Sequence, residues 1–220
     1  ALLQGSAATL ALTAMPAEAQ SAAASADRLL GRITEQMLRD YPASATSAGV
    51  DKDARARLRS RLDDRSPLGQ RTIKGHVRST LGQLRRLDTE AMSAEKRLDI
   101  DVVRTAFELA AEGFAFPYGD VAVLNSNWSY RNTPYAVAQN VGAFVEIPSF
   151  LDSSHSIAAT EDADAYLARM EAYARQLDGE TARVRADGGR GVVLPDFLLD
   201  KTLQQLRTSR AAPIEQWGVV

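Results

Sequence analysis

The 220-residue sequence predicts an all-α fold, an irregular multi-helix array, on three observations. Apolar residues recur at three- and four-residue spacing through most of the chain. Capping residues stand ahead of several of those segments. No apolar/polar alternation lasts long enough to build a sheet, and the best candidate, residues 121–124, is short.

Residues 1–19 read as an export signal lacking its N-terminus. A weakly apolar run (Leu2, Leu3, Leu10, Leu12) ends at Pro16, and Ala17-Glu18-Ala19 presents small residues where a signal peptidase reads them. The dilute apolar run resembles the part of a twin-arginine signal that follows the paired arginines. It falls short of the roughly 18 apolar residues of a membrane span. Residues 20–26 read as a low-complexity spacer, so the expected lobe covers 27–220. An exported protein follows, periplasmic or cell-envelope, without a membrane span once the signal is removed.

Ser25 is placed to cap a helix through Tyr41, with Leu29, Ile33 and Met37 on one stripe and Pro42 ending it. The charge-dense stretch 51–64 (Arg55, Arg57, Arg59, Arg61) predicts a solvated helix with local ion pairs. Ser66-Pro67 supplies an N-cap and a first-turn proline for a helix carrying Ile73, Val77, Leu81 and Leu84. Ser93 caps the next, whose wide apolar face (Leu98, Val102, Phe107, Leu109, Ala110) predicts a central helix covered on two sides. Residues 114–132 form a long connection. Thr133-Pro134 is expected to start a helix to about Phe144, and Ile147-Pro148 a short one to about Ser153. Thr160 opens the longest helix, to about Ala186, its acidic first turn and basic last turn suiting the helix dipole. Its expected buried stripe is Tyr166, Leu167, Met170, Tyr173, Ala174, Leu177 and Val184. Gly188-Gly189-Arg190-Gly191 follows a helix rather than a strand, so it predicts a helix-ending turn and not a phosphate loop. A last helix carries Phe197, Leu198, Leu199, Leu203 and Leu206. The apolar end, Gln216-Trp217-Gly218-Val219-Val220, predicts a lobe truncated at its C-terminus.

The net charge of −2 gives no electrostatic reason to expect nucleic acid as a partner. The absence of cysteine excludes thiol chemistry and zinc–thiolate sites. His76 is expected to be exposed, and His155 to be a loop or helix-end residue without a metal-ligand partner at i+3 or i+4. No His-Glu-x-x-His, Gly-x-Ser-x-Gly or phosphate-loop motif occurs, so no catalytic residue and no metal ligand are assigned. The richest chemistry lies in 125–140. There Arg131, Asn132, Tyr135, Gln139 and Asn140 join Asn125, Asn127, Trp128 and Tyr130. Amides and aromatics around one guanidinium suit a cleft that hydrogen-bonds a peptide backbone and pairs with a carboxylate. The same groups could instead satisfy one another in a long buried loop.

Several phrases resemble the N-terminal half of the bacterial family called domain of unknown function 885. They include Tyr41-Pro42-Ala43-Ser44-Ala45-Thr46, Leu62-Asp63-Asp64-Arg65-Ser66-Pro67 and Asn132-Thr133-Pro134-Tyr135. Further along come Gln139-Asn140-Val141-Gly142-Ala143, Pro148-Ser149-Phe150-Leu151-Asp152 and Pro195-Asp196-Phe197-Leu198-Leu199-Asp200-Lys201. The resemblance implies one lobe of a larger helical, metallopeptidase-like fold. It implies zinc for the full-length parent, held by a C-terminal motif of His-Glu followed by Pro-Gly-His that this segment lacks. The segment itself is then expected to hold no cofactor and to be inactive alone. Its partners would be the missing C-terminal half and a peptide-like substrate, with Asn132, Tyr135, Gln139 and Asn140 facing the cleft. The alternative is a stand-alone periplasmic helical binding or scaffold module.

Overall fold

The computed structural model describes residues 17–124 and 131–213. Most of the export-signal reading (1–16), the residues Asn125, Asn127, Trp128 and Tyr130, and the apolar end lie outside the described residues. The described residues form seven α-helices and one 3₁₀ helix, with no strand among them. The helices are α1 (Ala17–Asp40), α2 (Pro42–Ser47), α3 (Pro67–Leu84), α4 (Ala94–Gly113), α5 (Ala143–Ser154), α6 (Thr160–Gly188) and α7 (Asp196–Ala211); the 3₁₀ helix is Asp53–Leu58.

Three apolar clusters form the core of the described residues, the smallest being Leu38, Ala45 and Leu58. α1 (Ala26, Leu29, Ile33), α3 (Ile73, Val77, Leu81, Leu84) and α4 (Ile100, Phe107, Ala110) enclose the first. The second gathers Ala43, Leu62, Ala143, Ile147, Phe150 and Leu151 under α6. The caps fall where local chemistry requires: Ser66 Oγ accepts from the Gly69 amide and Ser93 Oγ from the Lys96 amide. The Gly188–Gly191 turn closes α6, with Gly191 at φ +81°.

Several expectations are corrected. α1 begins well before Ser25, which sits inside it and donates to the Ser21 carbonyl rather than capping. The alanines of 17–26 favour helix, and Ala26 packs into the core, so the expected spacer is helical. The 51–64 stretch is not a solvated helix. Arg55 pairs with Glu35, Arg59 reaches Asp162, and Asp51, Asp63 and Arg65 are buried. α4 is not covered on two sides, since Leu98, Val102 and Leu109 are exposed. No helix starts at Thr133, whose amide and carbonyl are held by Asp120 in an antiparallel bridge. α5 begins at Ala143, leaving Pro148 inside it, because Ala143 N–H is capped by the Glu180 carboxylate at 2.9 Å. His76 is half-buried and its Nδ1 lies 2.9 Å from Asp40.

The largest difference concerns α6. Leu167 and Val184 point to solvent, while the buried face is Ala165, Arg169, Gln176, Gly179, Glu180, Arg183 and Asp187. Those positions follow the helical repeat, so the longest helix turns a polar stripe inward.

Candidate functional site

The polar stripe of α6 organises two buried networks. In the first, Asp120 is held bidentately by Arg131 (Nε–Oδ2 2.6 Å, NH2–Oδ1 3.2 Å) and again by Arg183 at 2.6 Å. Arg131 also reaches Asp63 at 3.1 Å, and Asp63 takes Arg65 at 3.2 Å. Arg65 forks onto Glu180 at 3.0 Å and Glu146 at 2.6 Å. Four carboxylates thus face three guanidiniums, all within hydrogen-bond reach and shielded from water. Such a group holds together only because nearly every charge is paired.

The electrostatics follow from that imbalance. Burial raises the Asp120 carboxyl, but the Arg131 and Arg183 charges outweigh it and hold the group well below the usual carboxylate range. Burial likewise pushes up Asp63, and Arg65 and Arg131 more than reverse it. Glu180 goes the other way: burial raises it, and Arg65 with the Ala143 amide recovers only part of the shift. Tyr41, under the Arg131 guanidinium, is pushed up to about 12 by burial, and its hydroxyl accepts from the Val123 amide at 2.9 Å.

Close backbone approach makes this geometry possible. A Cβ at Gly179 would stand 2.9 Å from Ser66 Cα and N, so only glycine lets α6 lie against the 65–66 backbone. Gly119, at φ +82°, presents its amide to Asp187 (3.1 Å) and its carbonyl to Arg183 (2.7 Å). A side chain there would also strike the Thr133 carbonyl.

In the second network Arg169 is fully buried. It donates to Thr46 Oγ1 at 2.6 Å, to the Arg61 carbonyl at 3.1 Å and to His155 Nδ1 at 2.7 Å. Its guanidinium lies 4.8 Å from the Phe150 ring centroid. His155 Nε2 is 3.0 Å from the Asp162 carbonyl, which assigns the proton to Nε2. Burial, and then the neighbouring Arg169 charge, lower the imidazole, so it is neutral. Thr46 in turn donates to Asp51 at 2.7 Å.

Above the first network lies a cleft of about 600 Å³ between α4 and the segment that follows it. Ala106, Leu109 and Ala110 form one wall and Phe116, Val121 and Val123 the other, with Asn132 and Thr133 at the polar edge. Gly113 lets Val121 approach, since a Cβ there would meet Val121 Cγ2 at 3.0 Å. The volume falls within the range of small-ligand sites, and mostly apolar walls with a few polar groups are their usual make-up.

The residues singled out from sequence are distributed unevenly about this cleft. Asn132 lines it, in the left-handed region at φ +66°, and its Oδ1 accepts from the Ala122 amide at 2.8 Å. Arg131 lies beneath, its donors committed to Asp120 and Asp63. Tyr135 and Gln139 are half-buried and are not among the cleft's lining residues. Asn140 exchanges hydrogen bonds with Gln205 of α7, its Oδ1 accepting at 3.1 Å. Sequence reasoning missed Asp63, Asp120, Glu180 and Arg183; the helical spacing of Arg169, Gln176, Glu180, Arg183 and Asp187 was the signal available.

Zinc does not fit the donors found among the described residues. His155 has both ring nitrogens engaged, His76 faces Asp40, and the buried carboxylates are held by arginines. Among the described residues no group of three or more histidines or carboxylates is arranged to hold a metal, and no helix is long and apolar enough to cross a membrane.

A family described as bacterial protein of unknown function (DUF885) matches residues 42–218, and the chain belongs to it. No curated protein and no solved structure matches the chain.

Proposed function

We propose that this chain is the N-terminal, cleft-forming portion of an exported, zinc-dependent, peptidase-like hydrolase, which it serves by positioning a peptide-like substrate. The observation that carries the reading is the apolar cleft of about 600 Å³ set on a cross-linked ionic frame. An apolar side chain of a peptide would fill the space between Leu109 and Val121. The Asn132 amide at the rim would accept or donate to its backbone. The frame beneath keeps these groups in place, because moving Asp120 or Arg131 would expose uncompensated charge to a low-dielectric interior.

Hydrolysis itself would fall to residues outside this chain, since the histidines and buried carboxylates among the described residues are already engaged. The exposed apolar positions of α4, α6 and α7 (Leu98, Val102, Leu167, Phe197) support a docking face for such a counterpart. The test compares peptide cleavage by this 220-residue chain with cleavage by the product of the whole reading frame that encodes it. The reading expects cleavage, lost on chelation, only from a product extending past Val220. Chelator-sensitive cleavage by the 220 residues alone contradicts it, and a frame closing at Val220 favours the helical binding module instead.

A further inference from the structure

A second cleft, of about 270 Å³, opens on the other side of the segment carrying Phe116, Tyr118 and Val121. α3 contributes Gln70, Arg71 and Lys74, and the end of α6 contributes Arg190. Its charge is one-sided. Arg71 has no ion pair among the described residues, and Lys74 Nζ donates only to the Phe114 carbonyl. Arg190 has a loose partner, Asp187 at 3.5 Å, and that carboxylate already accepts from the Gly119 amide. Arg183, at the back, is neutralised by Asp120. Among the described residues Asp187 is therefore the only carboxylate lining a cleft with three uncommitted or weakly committed cations. Gln70 adds a sheltered amide, whose Nε2 has no hydrogen-bond acceptor among the described residues. An orphaned donor costs stability, and an acceptor entering beside it removes that cost.

We propose that this cleft is an anion site, taking a small carboxylate or phosphate carried on an apolar body. Arg71 and Lys74 would clamp the anion, Gln70 would donate to it once its shut-in amide turns into the cleft, and Phe116 and Tyr118 would cover the attached apolar group. The site is separate from the apolar cleft across the 116–121 segment and does not depend on hydrolysis.

Isothermal titration of the chain at fixed ionic strength, with inorganic phosphate, N-acetyl-phenylalanine and N-acetyl-phenylalanine amide, tests this. The proposal expects saturable binding of at least one anion and none of the neutral amide. Tighter binding of the acetylated amino acid identifies a carboxylate on an aromatic body as the ligand, and tighter binding of phosphate identifies a free anion. R71Q, an exposed change that leaves the ionic frame intact, should raise the dissociation constant about tenfold or more. Q70L should weaken binding as well. No saturable binding of either anion, equal binding of the amide, or dissociation constants unchanged in both variants overturns the proposal. A negative result here leaves the cleavage comparison untouched, so the two readings fail separately.

Discussion

Replacing Asp120 by Asn removes one negative charge from between Arg131 and Arg183 and keeps the volume. Asp120 Oδ1 takes Arg183 at 2.6 Å and Oδ2 takes Arg131 Nε at 2.6 Å. An Asn can offer a carbonyl to only one of them, and its NH₂ then faces a guanidinium donor. Two arginines are left buried with only Asp63, shared with Arg65, between them. Breaking a buried pair from one side costs about 3–5 kcal/mol. At about 2–4 °C per kcal/mol for a chain this long, the midpoint of thermal unfolding should drop by roughly 6–20 °C. Urea unfolding followed by circular dichroism measures the loss directly, and the double variant D120N/R183M should recover part of it, since the second change removes one stranded charge. A loss under about 1 kcal/mol with an unchanged urea slope refutes the idea that this network holds the fold together.

Acid should unfold the protein through the same groups. Asp63 and Asp120 titrate below their unfolded values, so their contribution is present above about pH 4 and drains away as pH falls towards the folded values. Glu180 has the opposite sign, its contribution shrinking as pH rises through its elevated folded value. E180Q should therefore flatten that part of the urea-midpoint profile above the ordinary carboxylate range, and an unaltered profile counts against the assignment. G179A should cost about 1–3 kcal/mol by driving α6 off the Ser66 backbone. In contrast, G75A within α3, where a Cβ meets nothing within 4 Å, should stabilise by about 0.5–1 kcal/mol in the same assay. S66A should cost about 1 kcal/mol through the lost cap of α3.

The features legible in the sequence are those decided within one turn of chain. Ser66 and Ser93 cap because their hydroxyls reach amides three residues on, and the all-α class follows from spacing alone. What was hidden depends on partners far along the chain. Arg65 finds Glu180 and Arg131 finds Asp63 only after folding, so the 51–64 charges read as solvated. The face of α6 was legible only in part: Tyr166, Met170 and Tyr173 pack against the second cluster, whereas Leu167, Ala174, Leu177 and Val184 are exposed, because the neighbouring buried positions carry charged residues whose partners lie far along the chain. The Thr133-Pro134 signal for a helix start is real chemistry, but the bridge to Asp120 holds Thr133 in extended pairing. Of the site residues, Asn132 lines the apolar cleft at its polar edge. Arg131 could not be distinguished from an internal partner without knowing where Asp63 and Asp120 lie.

The account turns on the apolar cleft being a preformed place for part of a peptide. Methyl-labelled NMR of the 220-residue chain, titrated with a short apolar peptide, reports on it through Leu109, Val121 and Val123. Saturable shifts centred on those three methyls, abolished by L109R and unaccompanied by cleavage, are the predicted result. Shifts scattered over the surface, or saturable shifts that persist in L109R, would contradict it.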